Sequence, residues 1–289
     1  MHLSAPATAR TTSGMLYLVA VPIGNIGDIT YRAVETLRSV DLIAAEDTRD
    51  FRELQRAYVI TTRVISYHDH NEQSRSRELL DRLLTGESVA IVSDAGTPLI
   101  NDPGFRIVNA AIEAGVPVTS IPGPSAVTTA LAAAGLPTAS FLYLGYPPRT
   151  TGKRRAFFTT HARQPATLVF YEAPHRLLAT VTDLLDTLGD RPACLARNLT
   201  KPHERYQRGP LSRLLAELTA EETVRGEATV LVGGATDDEP EDRSGVEATI
   251  AEMLAVGDDS RTILDHLVKE HGLKRREAYE LILRGKSDG

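Results

Sequence analysis

Two acidic segments hold the densest chemistry in this chain. SDAGTPLINDPG, Ser93 to Gly104, follows the apolar run Val89-Ala90-Ile91-Val92, and AEDTR, Ala45 to Arg49, closes the run that starts at Asp41. Carboxylates such as Asp94, Glu46 and Asp47 at the ends of buried strands accept hydrogen bonds from hydroxyls, hold a cationic group, or take up a proton. Gly96 and Gly104 let the backbone come close to a ligand. SYHDHNE (66–72), YEAPHR (171–176) and NLTKPHE (198–204) add further polar loops, and the last two follow apolar runs, so they predict one shared sheet edge.

Several chemistries are excluded by spacing. VPIGNIGD, Val21 to Asp28, has two glycines but not the G-x-G-x-x-G that cradles a pyrophosphate, and no G-x-x-x-x-G-K-[ST] loop occurs. The eight histidines form no H-x-x-x-H or H-E-x-x-H pattern, so no metal site is expected. Ser125 stands in PGPSA rather than a G-x-S-x-G elbow, and helix capping is its expected role.

The elements that must carry these loops read as alternating strands and helices. Met15–Val21, Asp41–Ala45, Val89–Val92 and Val116–Ile121 predict strands. Helices are predicted from Thr30, from Asn71 or Glu72 to Leu84, over Phe105–Ala114, and from Ser125 to Ala134. Such alternation implies a parallel sheet with right-handed crossovers. A second α/β block has strands at Phe141–Leu144, Thr167–Tyr171, Ala193–Leu199 and Ala228–Val232, with a helix over His175–Leu188. TDDEPEDR, with five acids and a proline, predicts a solvated linker at 236–243. Beyond it, helices at Ser260–His271 and Lys274–Leu283 predict a small helix-turn-helix tail with a basic end (Lys269, Lys274, Arg275, Arg276, Arg284, Lys286). The expected domains are a disordered leader at 1–13, α/β lobes at 14–124 and 125–235, the linker, and a tail at 244–289.

A single cysteine, Cys194, rules out intrachain disulfides and suits a reducing cytoplasm. No apolar stretch reaches the ~20 residues that cross a bilayer, so no membrane partner is expected. A net charge of -6 argues against a uniformly basic surface. One local exception is Gly145 to Arg163, with four arginines, a lysine and a histidine but no acid, interleaved with Tyr146, Phe157 and Phe158. With no acid nearby in sequence, Arg149, Lys153, Arg154 and Arg155 are predicted to meet an anionic, base-bearing partner.

The ordered segments VPIGNIGD, AEDTR, HDHNE, SDAGTPLINDPG, IPGPSAV, GYPPR, YEAPHR, LTKPHE and RGEATVLV, from Leu16 to Gly233, resemble the tetrapyrrole-methylase superfamily of S-adenosylmethionine-dependent enzymes, in its branch that acts on ribosomal RNA. Relatives acting on corrinoid or diphthamide precursors carry a G-x-G-P-G-D type first loop, which here is Pro22-Ile23-Gly24-Asn25. The resemblance implies two α/β lobes of the class III methyltransferase type with S-adenosylmethionine folded between them, in a cytoplasmic homodimer. It implies 2'-O-methylation of a cytidine ribose in the decoding region of 16S rRNA within the small ribosomal subunit, with no DNA partner. Cofactor contacts would fall on Pro22, Asp94, Ala95, Gly96, Pro98, Leu99, Ile100, Ser125, Ala126, Tyr171, Leu199, Ala228 and Thr229. Proton removal would fall to Glu46, Asp47 or Lys201, without a metal, and the residues do not choose among these three. Substrate contacts would fall on Arg49, His70, Asn71, Arg149, Lys153, Arg154, Arg155, His175 and Arg176. The alternatives are a tetrapyrrole, corrinoid or other small-molecule methylase, and a non-catalytic helix-turn-helix protein that binds nucleic acid.

Overall fold

Short apolar runs form two five-stranded sheets, each covered on both faces by helices. The computed structural model describes residues 14–236, 244–270 and 275–287. The expected leader, linker residues 237–243 and Lys274 lie outside the described residues. The chain divides into two compact units, the first ending at Ala235 and the second starting at Thr236.

In the first unit, β1 (Leu16–Val19), α1 (Tyr31–Ser39), β2 (Leu42–Ala45), α2 (Phe51–Ala57), β3 (Val64–Ser66), α3 (Glu72–Leu84), β4 (Val89–Val92), α4 (Phe105–Glu113) and β5 (Val118–Ile121) succeed one another. The strands lie in the order β3-β2-β4-β1-β5, all parallel. Every loop that leaves a strand carboxyl end therefore emerges on one edge. Both faces are buried, which is why β2 and β4 are apolar at every position. Thr30 caps α1 by accepting from the Ala33 N–H at 3.1 Å, and Ala33, Val34 and Leu37 face the core.

The second sheet is built from β6 (Phe141–Tyr143), β7 (Thr167–Glu172), β8 (Pro192–Arg197), β9 (Arg205–Pro210) and β10 (Ala228–Val232), in the order β6-β7-β10-β8-β9. It is mixed, because β10 runs antiparallel to both neighbours and β9 returns antiparallel to β8. One face is covered by α6 (Thr151–Thr160), α7 (Pro174–Leu188) and α8 (Leu211–Ala220). The other is covered by α5 (Ala126–Ala134), whose Val127, Ala130 and Leu131 pack among Val169, Cys194 and Leu231. Ile23, from the loop after β1, packs into that same cluster.

Several elements lie outside the sequence expectation, among them α2, β3 and α8. The cationic stretch after Gly145 is largely the helix α6, and β9 had no periodic signal because its residues, RYQRGP, are mostly polar. Among the described residues the second unit has three helices, where two were expected: α9 (Ser244–Val256), α10 (Ser260–Glu270) and α11 (Arg275–Ser287). Val246 and Ile250 of α9 complete a core with Ile263, Leu267, Ala278, Leu281 and Ile282.

Candidate active site

The carboxyl edge of the first sheet and the near edge of the second enclose a cleft of about 230 Å³. The loops after β1 and β4 are tied into one wall by paired hydrogen bonds, Val21 N–H to Gly96 O at 2.9 Å and Gly96 N–H to Val21 O at 3.1 Å. The β4 loop is wound through left-handed positions at Gly96 (φ 78°), Leu99 (φ 71°) and Asn101 (φ 74°). Only glycine adopts that conformation freely, so Leu99 and Asn101 carry backbone strain held in place by the surrounding loop. Thr97 Oγ1 donates to Pro124 O at 3.3 Å, joining this loop to the segment that starts α5.

The opposite wall is a row across three strands. Tyr171 on β7, Thr229 on β10 and Ala196 on β8 are in register, and all three line the cleft. Because β10 is antiparallel to its neighbours, its amino end, with Glu227 and Ala228, meets the carboxyl ends of β7 and β8 at this edge. Tyr143 and Tyr146 pack on Tyr171 with ring centroids 5.1 and 5.7 Å away, giving the cleft an aromatic end.

The electrostatics are one-sided. Glu46, Asp94, Asp102, Glu172 and Glu227 line the cleft, and no lysine, arginine or histidine does among the described residues. Glu172 and Glu227 are paired from outside it, by Arg176 Nε at 3.2 Å and Lys201 Nζ at 3.1 Å. Glu46, Asp94 and Asp102 have no cationic partner among the described residues. Burial, with Asp94 and Asp102 adding like charge, pushes Glu46 up to about 7. Burial likewise pushes Asp102 up to about 6, opposed by the Ser93 hydroxyl, and raises Asp94. Glu46 accepts from the Asp94 N–H at 3.3 Å, and Asp94 Oδ1 accepts from the Asp47 N–H at 2.8 Å. Glu46, close to half protonation near neutral pH and held by the Asp94 backbone, can hold a cation or accept a proton.

The structure separates the three candidate bases. Asp47 is forked by Arg49, whose Nη2 donates at 2.6 Å, and this hydrogen bonding holds its carboxyl far below the usual range. Such a carboxylate is a weak base. Lys201 pairs with Glu227, its stem filling the space a side chain at Gly24 would need. Glu46 alone of the three lines the cleft.

Of the cofactor residues expected from sequence, Asp94, Ala95, Gly96, Ile100, Ser125, Ala126, Tyr171, Leu199, Ala228 and Thr229 come together here. Three do not. Pro22 lines a neighbouring cavity, Pro98 is buried, and the Leu99 side chain turns back to cover Gly104. Ser125 occupies the position before α5 but makes no side-chain cap.

The expected substrate residues are more widely scattered in role. Arg154 is 2% exposed and bonded to Asp183 at 2.5 and 2.8 Å, while Arg155 reaches Asp183 at 2.7 Å and Asp186 at 2.5 Å. The acids absent from their own stretch are supplied by α7, so neither arginine is a free phosphate ligand. Arg176 is spent on Glu172 and on the Pro147 carbonyl at 2.6 Å, shaping the loop after β6. Asn71 is turned inward, accepting from the His68 N–H at 2.9 Å and donating to Ser66. Arg49, His70, Arg149, Lys153 and His175 remain exposed, with Arg49 tied to Asp47.

Sequence reasoning missed Ile23, Asn101, Asp102, Tyr146, Glu172, Ala196 and Glu227 as cleft residues. Asn101 and Asp102 lie inside the loop already singled out. Glu227 escapes a rule that looks only at strand carboxyl ends.

Comparison with known proteins agrees with this architecture. The family profile for tetrapyrrole (corrin/porphyrin) methylases matches residues 15–215. A ribosomal RNA small subunit methyltransferase I from Micromonospora olivasterospora is 50% identical over 93% of this chain and 87% of its own. A protein of the same name from Synechocystis is 45% identical over 96% of this chain and 100% of its own. Among solved structures, cobalt precorrin-4 methyltransferase overlays with a TM-score of 0.56 at 18% identity, covering 78% of this chain and 97% of that one. Uroporphyrin-III C-methyltransferase from Thermus thermophilus in complex with S-adenosyl homocysteine overlays with a TM-score of 0.54 at 24% identity, covering 76% and 97%.

Proposed function

From a chain that belongs to the tetrapyrrole methylase family, and within it to the ribosomal RNA small subunit methyltransferase I group, we propose an enzyme that methylates the 2'-hydroxyl of a cytidine in the decoding region of 16S rRNA. The cofactor is S-adenosylmethionine. The observation that supports this reading is the acidic cleft without cations. It suits a ligand bearing a sulfonium and an ammonium, and it disfavours a tetrapyrrole precursor fringed with carboxylates.

Asp94, Asp102 and Glu46 would face the cationic end of the cofactor, and Tyr146 and Tyr171 would offer its aromatic base a stacking surface. When bound, the cofactor supplies an electrophilic methyl group on sulfur. Glu46, held by the Asp94 backbone, would take the proton of the ribose hydroxyl as that oxygen accepts the methyl group which the cofactor would supply. The strained β4 loop and the β7–β10–β8 row fix the distance between them, which is where most acceleration in a methyl transfer arises.

Exposed Arg149 and Lys153 would meet RNA phosphates at the entrance to α6. A homodimer acting on the assembled small subunit is part of the same proposal. The decisive assay follows labelled methyl from S-adenosylmethionine into small ribosomal subunits, bare 16S rRNA, duplex DNA and a corrinoid precursor. Label in a 2'-O-methylcytidine of the subunit RNA is expected. Label in the corrinoid, or duplex DNA binding with no transfer at all, would replace this reading.

A further inference from the structure

A second cavity, of about 190 Å³, shares Asp94 with the cofactor cleft. Its inner surface is apolar, made by Val21, Ile26, Phe51 and Leu54. Its mouth carries Asp47, Asp50, Glu53 and Asp94, and no cation lines it among the described residues. Asp47 is engaged by Arg49, and Asp94 by the Asp47 N–H. Asp50 stands at the start of α2 without capping it, and neither it nor Glu53 has an ion-pair partner among the described residues.

Those features define an occupant. The apolar interior takes a flat ring, while the acceptor-only mouth takes hydrogen-bond donors and repels phosphate and carboxylate. At about 190 Å³ it is smaller than the cofactor cleft of about 230 Å³. Resting on the methyl-transfer reading above, we infer that this cavity receives the target base itself. A base bearing an exocyclic amine, turned out of its stack, donates that amine to Asp50 or Glu53 while its phosphates stay outside. With Asp94 as the shared wall and Glu46 bonded to its backbone, the sugar of a seated nucleotide falls between the two cavities. Cytidine fits this rim better than uridine, whose carbonyl replaces the amine and meets a carboxylate with no donor.

The test compares kcat/KM on small subunits reconstituted with rRNA carrying either cytidine or uridine at the target position. The wild-type enzyme is expected to prefer cytidine by roughly tenfold or more. The double variant Asp50→Asn, Glu53→Gln presents amides that donate to the uridine carbonyl, so the preference should shrink severalfold with cofactor affinity, read by calorimetry, unchanged. An unaltered preference in that variant overturns the assignment, as does a wild-type enzyme indifferent to the base. Lost cofactor affinity would hand the cavity to the cofactor instead. Failure of the wild-type enzyme to label either subunit overturns the methyl-transfer reading, and the base pocket falls with it.

Discussion

Two groups of carboxylates in the first unit are treated in opposite ways. Asp183 on α7 is 2% exposed and gripped by Arg154 and Arg155, and Glu221 is gripped by Arg197 and Arg205. Glu46 and Asp102 are half-buried, and with the more open Asp94 they have no such partner among the described residues. A paired charge holds helices in place, and its value is realised in the fold. An unpaired carboxylate whose pKa is raised by burial costs the fold something, and that cost is relieved when it takes up a proton or meets a cationic ligand. The contrast separates the structural arginines from the chemistry better than residue type does.

Glu46→Gln breaks the contrast where it matters most. Loss of the base should lower kcat by roughly 10²–10⁴ with the fold intact, read by labelled methyl transfer. In the wild-type enzyme, kcat/KM should rise with pH through about 7, the position to which burial pushes Glu46, because only the ionised form accepts a proton. The stability sign is the reverse. A carboxyl raised in the folded state favours folding below its unfolded pKa, and that contribution is lost as pH climbs from 4.5 to about 7. The Gln variant should therefore melt above the wild-type apo-protein at pH 8, by on the order of 2–4 °C, and lose that advantage at pH 5.

Asp183→Ala tests the other group. Arg154 would be left buried and unpaired, at a cost of roughly 3–5 kcal/mol in denaturant unfolding. Charge-free replacement of both members by apolar residues should recover much of that, as a purely structural pair requires.

Asp94→Ala should weaken S-adenosylmethionine binding by about 1–3 kcal/mol in calorimetry, since its carboxylate also orders the Asp47 backbone. Unchanged affinity would mean that the acidic cleft is not where the cofactor sits. The smallest effect is expected outside both groups. Arg149→Ala with Lys153→Ala should raise KM for the subunit modestly and flatten its salt dependence by at most about 0.9 in slope for each phosphate no longer neutralised. Cofactor affinity should not move.

Much of this is legible in the sequence. β2 and β4 are apolar at each position, and the loops that follow them carry the acids, so the first sheet apart from its edge strand β3, and its working edge, follow from pattern. What stayed hidden depends on partners distant in sequence. The stretch from Gly145 to Arg163 looks like free positive charge, yet its neutralising acids lie about thirty residues on, in a helix that only the folded sheet brings alongside. β9 lacks an apolar alternation because it is an edge strand, and α9 escaped notice because its apolar residues are spread around the helix rather than confined to one side. Asp102 and Glu227 join the site through loop winding and strand direction, neither of which residue spacing encodes.

The place of β10 bears on how the chain is made. It is the last strand of the first unit to be synthesised, yet it lies at the middle of its sheet, between β7 and β8. Until residues 228–232 have left the ribosome, β7 and β8 each present an open edge, and no local hairpin can close the gap. Long-range closure of this kind slows folding and leaves apolar strands available for pairing between nascent chains. A chain stopped before Ala228 would thus lack more than a wall of its cleft. It would be held as two half-sheets dependent on chaperones, and aggregation during translation, rather than reduced turnover, would be its visible defect.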